Sequence, residues 1–258
     1  GTDGNYTFTL LGTLDHADTS DHDDVIEINF GVKATDFDGD STASGEITVC
    51  IKDDGPSISN KFKTVDESHL GGGPLVRTET LEFDFGEDGA GSIASTGNFI
   101  AKYEMGGYHS DIYSGGDLVE ISVDGNGYIG KLAGGDVVFT LELDGLTGEY
   151  TYTQYLPLDH PLAGDPDEVI WLQFEVEITD ADGDTATAWI GMDVHDSAVN
   201  DFVGSKVEVD ETALDPSDED SNVVTADFGG DGMGGFAPTD VSSISFTGAT
   251  ADALTSNG

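Results

Sequence analysis

The feature that most constrains the fold of this chain is a long internal repeat. The segment ATDFDGDS at residues 34–41 returns as ITDADGDT at residues 178–185, a shift of 144 residues. The same shift overlays residues 1–16 on residues 145–160 without a gap. A repeat of this length has the size of a domain, so the sequence predicts tandem copies of one folding unit.

Strands are predicted almost everywhere, because apolar residues alternate with polar ones. In VIWLQFEVEI (169–178), apolar side chains occupy every second position, which is the period of a half-buried antiparallel strand. Gly-rich turns separate such runs, and no segment shows a convincing helical period. The sequence therefore predicts an all-β chain of tandem β-sandwich repeats of the immunoglobulin or cadherin-like kind. The equivalent strand VIEINFGV is expected to point inward through Ile26, Ile28, Phe30 and Val32.

The repeat divides the chain into three predicted parts. Residues 1–57 form the C-terminal part of one repeat, residues 58–200 a complete repeat, and residues 201–258 the N-terminal part of the next. Half of a sandwich cannot bury its apolar face alone, so each partial repeat is expected to need a partner. That partner is either another copy of the chain, which would allow end-to-end assembly, or further sequence of a longer parent.

The charge of the chain limits its partners. Lys and Arg number 8 against 52 Asp and Glu, which gives a formal net charge of −44. Such repulsion opposes compaction, yet 37% hydrophobic residues in regular alternation argue against disorder. A bound divalent metal is therefore expected. Nucleic acid and an anionic membrane surface are not expected partners, because little positive charge is available to bind phosphates.

Cysteine content and hydropathy give two further expectations. The single cysteine, Cys50, excludes an intramolecular disulfide, and its apolar setting ITVCI predicts a buried thiol. A large acidic chain without disulfides fits the exterior of a bacterium. No apolar run approaches the ~20 residues of a membrane-spanning helix, so insertion into a membrane is not expected.

The repeated aspartates predict calcium sites. Carboxylates on alternate residues of one loop converge, and an intervening glycine permits the tight bend. These anions repel one another unless a hard cation lies among them, and Ca²⁺ accepts roughly 6–8 oxygen ligands in irregular geometry. An EF-hand is excluded, because Ile47 and Gly191 stand where its bidentate glutamate belongs. The predicted ligands are Asp36, Asp38 and Asp40 in the first copy, and Asp180, Asp182 and Asp184 in the second.

Other acidic residues lie near the predicted joins between repeats. Some of these carboxylates are expected to meet between consecutive repeats and share calcium there, which would stiffen the joint. The candidates at the joins are Asp53, Asp54, Asp66, Glu67, Asp210 and Glu211. A further site is predicted in DFGEDGAG and its later copy, with Asp84, Glu87, Asp88, Asp227 and Asp231, unless these are solvated turn residues.

The order of the motifs resembles a known family. The block VIxxxFxVxATDxDGDS…ITVxIxDDGP, followed by VDE and DFGxDGxG, is similar to the tandem repeats of giant RTX-type bacterial adhesins over essentially the whole chain. The resemblance implies calcium-bound extender domains, exported by type I secretion, that hold a ligand-binding tip away from the cell surface in adhesion and biofilm formation. Contact with a host or biofilm glycan or peptide would then belong to other domains. The second copy departs from this pattern at residues 194–201, where VHDSAVND replaces IKDDGPSI.

The alternative function is a calcium-dependent module that binds carbohydrate or peptide. MGGYHSDIYSGGD (105–117) concentrates Tyr108, His109 and Tyr113 in a Gly-rich loop, as a recognition surface does. An enzyme is not expected, because the histidines lie in no H-E-x-x-H or triad-like setting. The matching positions of His16 and His160 favour a packing role.

Overall fold

The chain is built almost entirely of β-strands. A computed structural model describes residues 4–18, 23–103, 107–109, 111–162, 168–197, 200–203 and 225–227. In chain order the strands are β1 (Val25–Val32), β2 (Gly45–Lys52), β3 (Ser57–Ile58), β4 (Lys61–Asp66), β5 (Leu75–Thr80), β6 (Phe83–Asp84), β7 (Ser92–Tyr103), β8 (Gly107–His109), β9 (Tyr113–Ser114), β10 (Asp117–Leu118), β11 (Glu120–Asp124), β12 (Gly127–Lys131), β13 (Val137–Leu143), β14 (Glu149–Gln154), β15 (Val169–Thr179), β16 (Thr185–His195), β17 (Asn200–Val203) and β18 (Thr225–Asp227). A 3-10 helix, Glu67–Gly72, follows β4. None of the helical structure in these described ranges has the length and apolar character needed to cross a membrane.

Two five-stranded sheets form the main body of the molecule. One has the strand order β11-β12-β13-β14-β5 and the other β4-β16-β15-β7-β8. Among these described strands, only β4 and β16 pair in parallel, from Lys61 beside Ile190 to Asp66 beside His195. Smaller two-stranded pairs are β1 with β2, β3 with β6, β9 with β10, and β17 with β18. Both large sheets therefore lie inside the predicted complete repeat, residues 58–200.

The two sheets pack face to face around aromatic rings. The ring centroid of Phe174 in β15 lies 5.6 Å from that of Phe139 in β13 and 5.3 Å from that of Tyr128 in β12. Burial of a large apolar side chain stabilises a fold by roughly 1.5–3 kcal/mol, so this layer holds the sheets together. β15 buries every second side chain, as its alternation predicts, through Ile170, Leu172, Phe174, Val176 and Ile178. The predicted all-β, sandwich-like fold is confirmed.

The structure contains both copies of the duplicated hairpin, but only the second copy is buried. β1 pairs with β2 as β15 pairs with β16. Phe174 is fully buried, whereas Phe30, its counterpart 144 residues earlier, is 42% exposed. Ile26 and Ile28 are half-buried, and the prediction of inward positions is wrong at Phe30 and Val32, which are exposed. The reason is that no second sheet covers β1 and β2 within the described ranges.

Cys50 is exposed, so the expectation of a buried thiol is wrong. Side chains alternate between the two faces of β2, and Ile51 takes the buried face. Cys50 stands opposite Glu27 of β1 on the outer face. The apolar run ITVCI thus contains residues from both faces of one strand.

Candidate metal sites

The DADGD segment between β15 and β16 forms a tight turn that its first aspartate closes. Asp180 Oδ1 accepts hydrogen bonds from the backbone N–H groups of Gly183 at 3.0 Å and Asp184 at 2.8 Å. Gly183 has a φ of 112°, which other L-residues adopt only with strain. The turn gathers its carboxylates, because one oxygen from each of Asp180, Asp182 and Asp184 lies within 4.8 Å of the others.

The first copy makes the same turn. Asp36 Oδ1 accepts hydrogen bonds from the backbone N–H groups of Gly39 at 3.1 Å and Asp40 at 2.8 Å, and Gly39 has a φ of 100°. Asp36, Asp38 and Asp40 also lie within 4.8 Å of one another, but all three are exposed. The local sequence therefore specifies the turn, and its surroundings decide whether the carboxylates are buried.

Two aspartates from elsewhere in the chain complete the second turn. Asp53 follows β2 and Asp88 follows β6, and each brings a carboxylate oxygen within 4.8 Å of Asp182 and of the other. The sequence predicts separate sites for these residues, whereas the structure brings them together. We refer to the set as the Asp182 cluster, which consists of Asp53, Asp88, Asp180, Asp182 and Asp184.

Close backbone packing holds Asp88 against the turn. The carbonyl of Gly89 accepts a hydrogen bond from the backbone N–H of Ala181 at 3.2 Å. A Cβ atom at Gly91 would overlap the backbone carbonyl of Asp180, so only glycine allows this approach. The glycines of DFGEDGAG thus position an aspartate at the cluster.

The Asp182 cluster contains buried carboxylate oxygens without partners. Asp180 and Asp184 are only 4% and 2% exposed. Oδ2 of Asp53, Asp180 and Asp184, and Oδ1 of Asp182, have no hydrogen-bond partner among the residues that the structure describes. Unpaired buried carboxylates are costly unless a cation binds them. A donor set made only of carboxylate oxygens suits a hard ion such as Ca²⁺.

Burial and, after it, mutual repulsion perturb the ionisation of these carboxyls. Burial, followed by the neighbouring carboxylate of Asp53, raises the pKa of Asp184 to about 7. Burial and the nearby Asp182 also raise the pKa of Asp180 and of Asp88. The cluster therefore cannot be fully ionised at neutral pH without a compensating positive charge.

Asp54 and Asp84 bind backbone groups beside this cluster. Asp54 Oδ2 accepts a hydrogen bond from the backbone N–H of Glu87 at 3.0 Å. Asp84 Oδ1 accepts one from the backbone N–H of Gly86 at 3.1 Å. Together with Glu87, these carboxylates line a small cleft at the joint between the first segment and the sandwich.

Asp66 and Glu67 lie at the opposite end of the sandwich. Asp66 pairs with His195 at the end of β16, whereas the Asp182 cluster adjoins Thr185 at its start. A strand of 11 residues at about 3.3 Å per residue separates the two ends by roughly 30 Å. Asp66 Oδ1 caps the 3-10 helix by accepting a hydrogen bond from the backbone N–H of Ser68 at 2.9 Å. The structure does not bring Asp66 or Glu67 to the Asp182 cluster.

The remaining predicted ligands belong to the third part of the chain. Asp210, Glu211 and Asp231 lie outside the described residues. Asp227 ends β18, where the structure describes the strand but not the side chain.

Histidines join two acidic clusters, and the sequence motifs predict neither histidine as a ligand. His16 Nδ1 contacts Asp24 Oδ1 and lies 4.0 Å from Asp53 Oδ2. His160 lies with Glu67 and Asp196 at the other end of the sandwich. The signal in the sequence is the recurrence of the histidine 144 residues later, at His160, a pattern that packing alone also explains.

Comparisons with known proteins identify one family. Neither the curated proteins nor the solved structures contain a match to this chain. A family profile matches residues 63–193, just over half of the chain, and this span includes the Asp180–Asp184 turn and Asp88 but not Asp53. The chain belongs to the family described as Domain of unknown function (DUF5801).

Proposed function

We propose that this chain is a calcium-stabilised structural repeat of a secreted bacterial surface adhesin or filament, and that it acts as a rigid extender in adhesion and biofilm formation. The observation that carries the proposal is the Asp182 cluster, with its buried and unpartnered carboxylate oxygens. The resemblance of the motif order to RTX-type adhesin repeats supports the same function.

Calcium at this cluster would join two parts of the chain. Asp53 belongs to the segment that precedes the sandwich, whereas Asp88 and Asp182 belong to the sandwich itself. An ion bound by all three carboxylates would fix the angle between consecutive repeats. Rigid joints are what an extender needs to keep its tip away from the cell.

The net charge of −44 couples calcium to folding. Without a cation, repulsion favours the unfolded chain, which is the form suited to a narrow type I export channel. A ligand that binds only the folded state stabilises it, and outside the cell calcium would do so. The expected partners are neighbouring repeats or other copies of the chain.

Thermal unfolding and circular dichroism with and without calcium test this proposal. Calcium at 100 times its dissociation constant is expected to add about 2.7 kcal/mol to the free energy of unfolding, and chelator to remove much of the β signal. Mg²⁺ at equal concentration is the control, because it prefers stricter geometry and retained waters. An unchanged spectrum and Tm after chelation would contradict the proposal.

One observation favours the alternative of a glycan- or peptide-binding module. Tyr113 is 41% exposed on the β9–β10 hairpin. The carboxylate of Asp159 fixes this hairpin by accepting hydrogen bonds from the backbone N–H groups of Gly115 at 2.7 Å and Gly116 at 2.6 Å. Rigid exposed aromatics are common anchors in recognition surfaces. Calcium-dependent retention on a glycan or peptide array, lost in Tyr113→Ala, would support this alternative.

A further inference from the structure

A second group of buried polar side chains lies at the end of the sandwich opposite the Asp182 cluster. Glu67 begins the 3-10 helix, His160 follows β14, and Asp196 follows β16. One ligand atom from each of these residues lies within 4.8 Å of the other two. Three separate segments of the fold therefore converge on one point.

Hydrogen bonds fix the orientation of Glu67 through one carboxylate oxygen and leave the other without a partner among the described residues. It is fully buried, and its Oε1 accepts hydrogen bonds from the backbone N–H of Leu158 at 2.8 Å and from the side-chain amide of Gln154. Its Oε2 has no hydrogen-bond partner within the described residues and lies 3.5 Å from His160 Nε2. Gln154 and Leu158 thus act as the outer groups that orient a metal ligand.

The imidazole of His160 is also buried and, like Glu67 Oε2, lacks hydrogen-bond partners in the described ranges. Its side chain is 3% exposed, and neither ring nitrogen has a hydrogen-bond partner in the described part of the chain. Glu168 is fully buried nearby, with Oε2 accepting a hydrogen bond from the backbone N–H of Leu162 at 2.7 Å. Nε2 faces the Glu67 carboxylate, whereas Nδ1 is left unsatisfied by the residues that the structure describes, and a buried polar atom without a partner costs free energy unless a ligand completes the set.

The distance between Glu67 Oε2 and His160 Nε2, 3.5 Å, is compatible with two ligands of one metal ion. A charge-assisted hydrogen bond would bring the two atoms to about 2.7–2.9 Å, closer than the 3.5 Å observed. Two ligand atoms bound at about 2.0–2.2 Å to one tetrahedral ion lie roughly 3.4 Å apart. The observed separation therefore matches two ligands of a shared ion.

We infer that Glu67, His160 and Asp196 form a site for a divalent first-row transition metal ion, with Zn²⁺ the best match. Calcium takes oxygen ligands, whereas an imidazole nitrogen with carboxylates suits zinc. Glu168 adds negative charge beside the site. This inference does not depend on calcium binding at the Asp182 cluster, because the two groups lie at opposite ends of β16.

The internal repeat provides a partial parallel. His16, Asp24 and Asp53 lie within 4.8 Å of one another. His16 and Asp24 stand 144 residues before His160 and Glu168, and Asp53 aligns with Asp196 when IKDDGPSI is laid on VHDSAVND. The first copy thus brings together the counterparts of His160 and Asp196, with Asp24 in the position of Glu168 and not of Glu67, and there Asp53 also belongs to the Asp182 cluster.

Zinc titration of the 258-residue chain in calcium-saturated buffer tests the inference. We expect the protein to compete with a chromophoric chelator for Zn²⁺, and His160→Gln to lose one bound zinc per chain. The loss of one ligand should weaken binding at this site by more than about 10-fold. His69→Gln is the matched control, because His69 is an exposed histidine of the adjacent 3-10 helix, and it should bind as the wild type does.

Two outcomes would overturn the inference: a wild-type chain that binds no zinc, or a folded His160→Gln variant with unchanged stoichiometry and affinity. Circular dichroism establishes whether the variants fold. If His160→Gln does not fold, zinc-edge anomalous diffraction from wild-type crystals decides the question. A peak between Glu67, His160 and Asp196 supports the site, and its absence at saturating zinc rejects it.

Discussion

The carboxylate of Asp54 accepts a hydrogen bond from the backbone N–H of Glu87, with 3.0 Å between Oδ2 and N. This contact joins the segment ahead of the sandwich to the turn that follows β6. Gly86, the residue before Glu87, has a φ of 77°, and a Cβ atom there would lie 2.5 Å from the carbonyl oxygen of Asp54. The joint thus depends on a position where a side chain has no room.

Gly86→Ala is expected to destabilise the chain more than a comparable glycine substitution away from the joint. Left-handed backbone alone costs roughly 1–2 kcal/mol for a residue with a Cβ atom, and the overlap with Asp54 adds to this. Gly135→Ala is the control, since Gly135 has a φ of 95° with open space around it. Denaturant unfolding measures both variants, and equal losses would show that the contact with Asp54 does not matter.

Asp184→Asn is expected to weaken calcium binding by about 10-fold or more, because it removes a buried charge from the Asp182 cluster. The same change should stabilise the metal-free protein, since it relieves repulsion from Asp53. Asp40→Asn alters the exposed counterpart in the first copy and should leave the affinity of the second unchanged. Calorimetric titration compares the two variants, and a larger effect of Asp40→Asn would argue against the cluster.

The metal-free protein is expected to lose stability as the pH rises from about 4 to 7. The pKa of Asp184 is about 7 in the folded chain against 3.8 for an unperturbed aspartate, so the folded state binds more protons in this range. Circular dichroism in chelator at several pH values measures the folded fraction and, where a thermal transition is present, the Tm. Asp184→Asn provides the comparison, because it removes the titrating group while the carboxyls outside the Asp182 cluster contribute equally to both proteins. If the Tm difference between them does not vary with pH, Asp184 does not have this pKa.

Phe174→Ala should cost about 3–5 kcal/mol, because it opens a cavity between the two sheets. Phe30→Ala is its counterpart 144 residues earlier, on a strand without a covering sheet, and should cost far less. Chemical denaturation gives both values. A similar loss for both would mean that β1 is buried in solution.

The sequence predicts those features of the fold that depend on residues close together in the chain. The Asp180 turn and the alternating burial of β15 depend on local hydrogen bonds and strand period, so both were predictable. The meeting of Asp88 with Asp182 depends on how the chain returns after β6, and no local pattern encodes it. The exposure of Phe30 has the same origin, because a period of two identifies a face but not whether anything covers it.

The parallel pairing of β4 with β16 determines how the sandwich carries mechanical load. The chain enters the domain through β4 at one end and leaves through β16 at the other. Tension along the chain therefore pulls these neighbours in opposite directions along their length, while their hydrogen bonds run across it. All six residue pairs between Lys61 and Asp66 resist this shear together instead of peeling apart one by one.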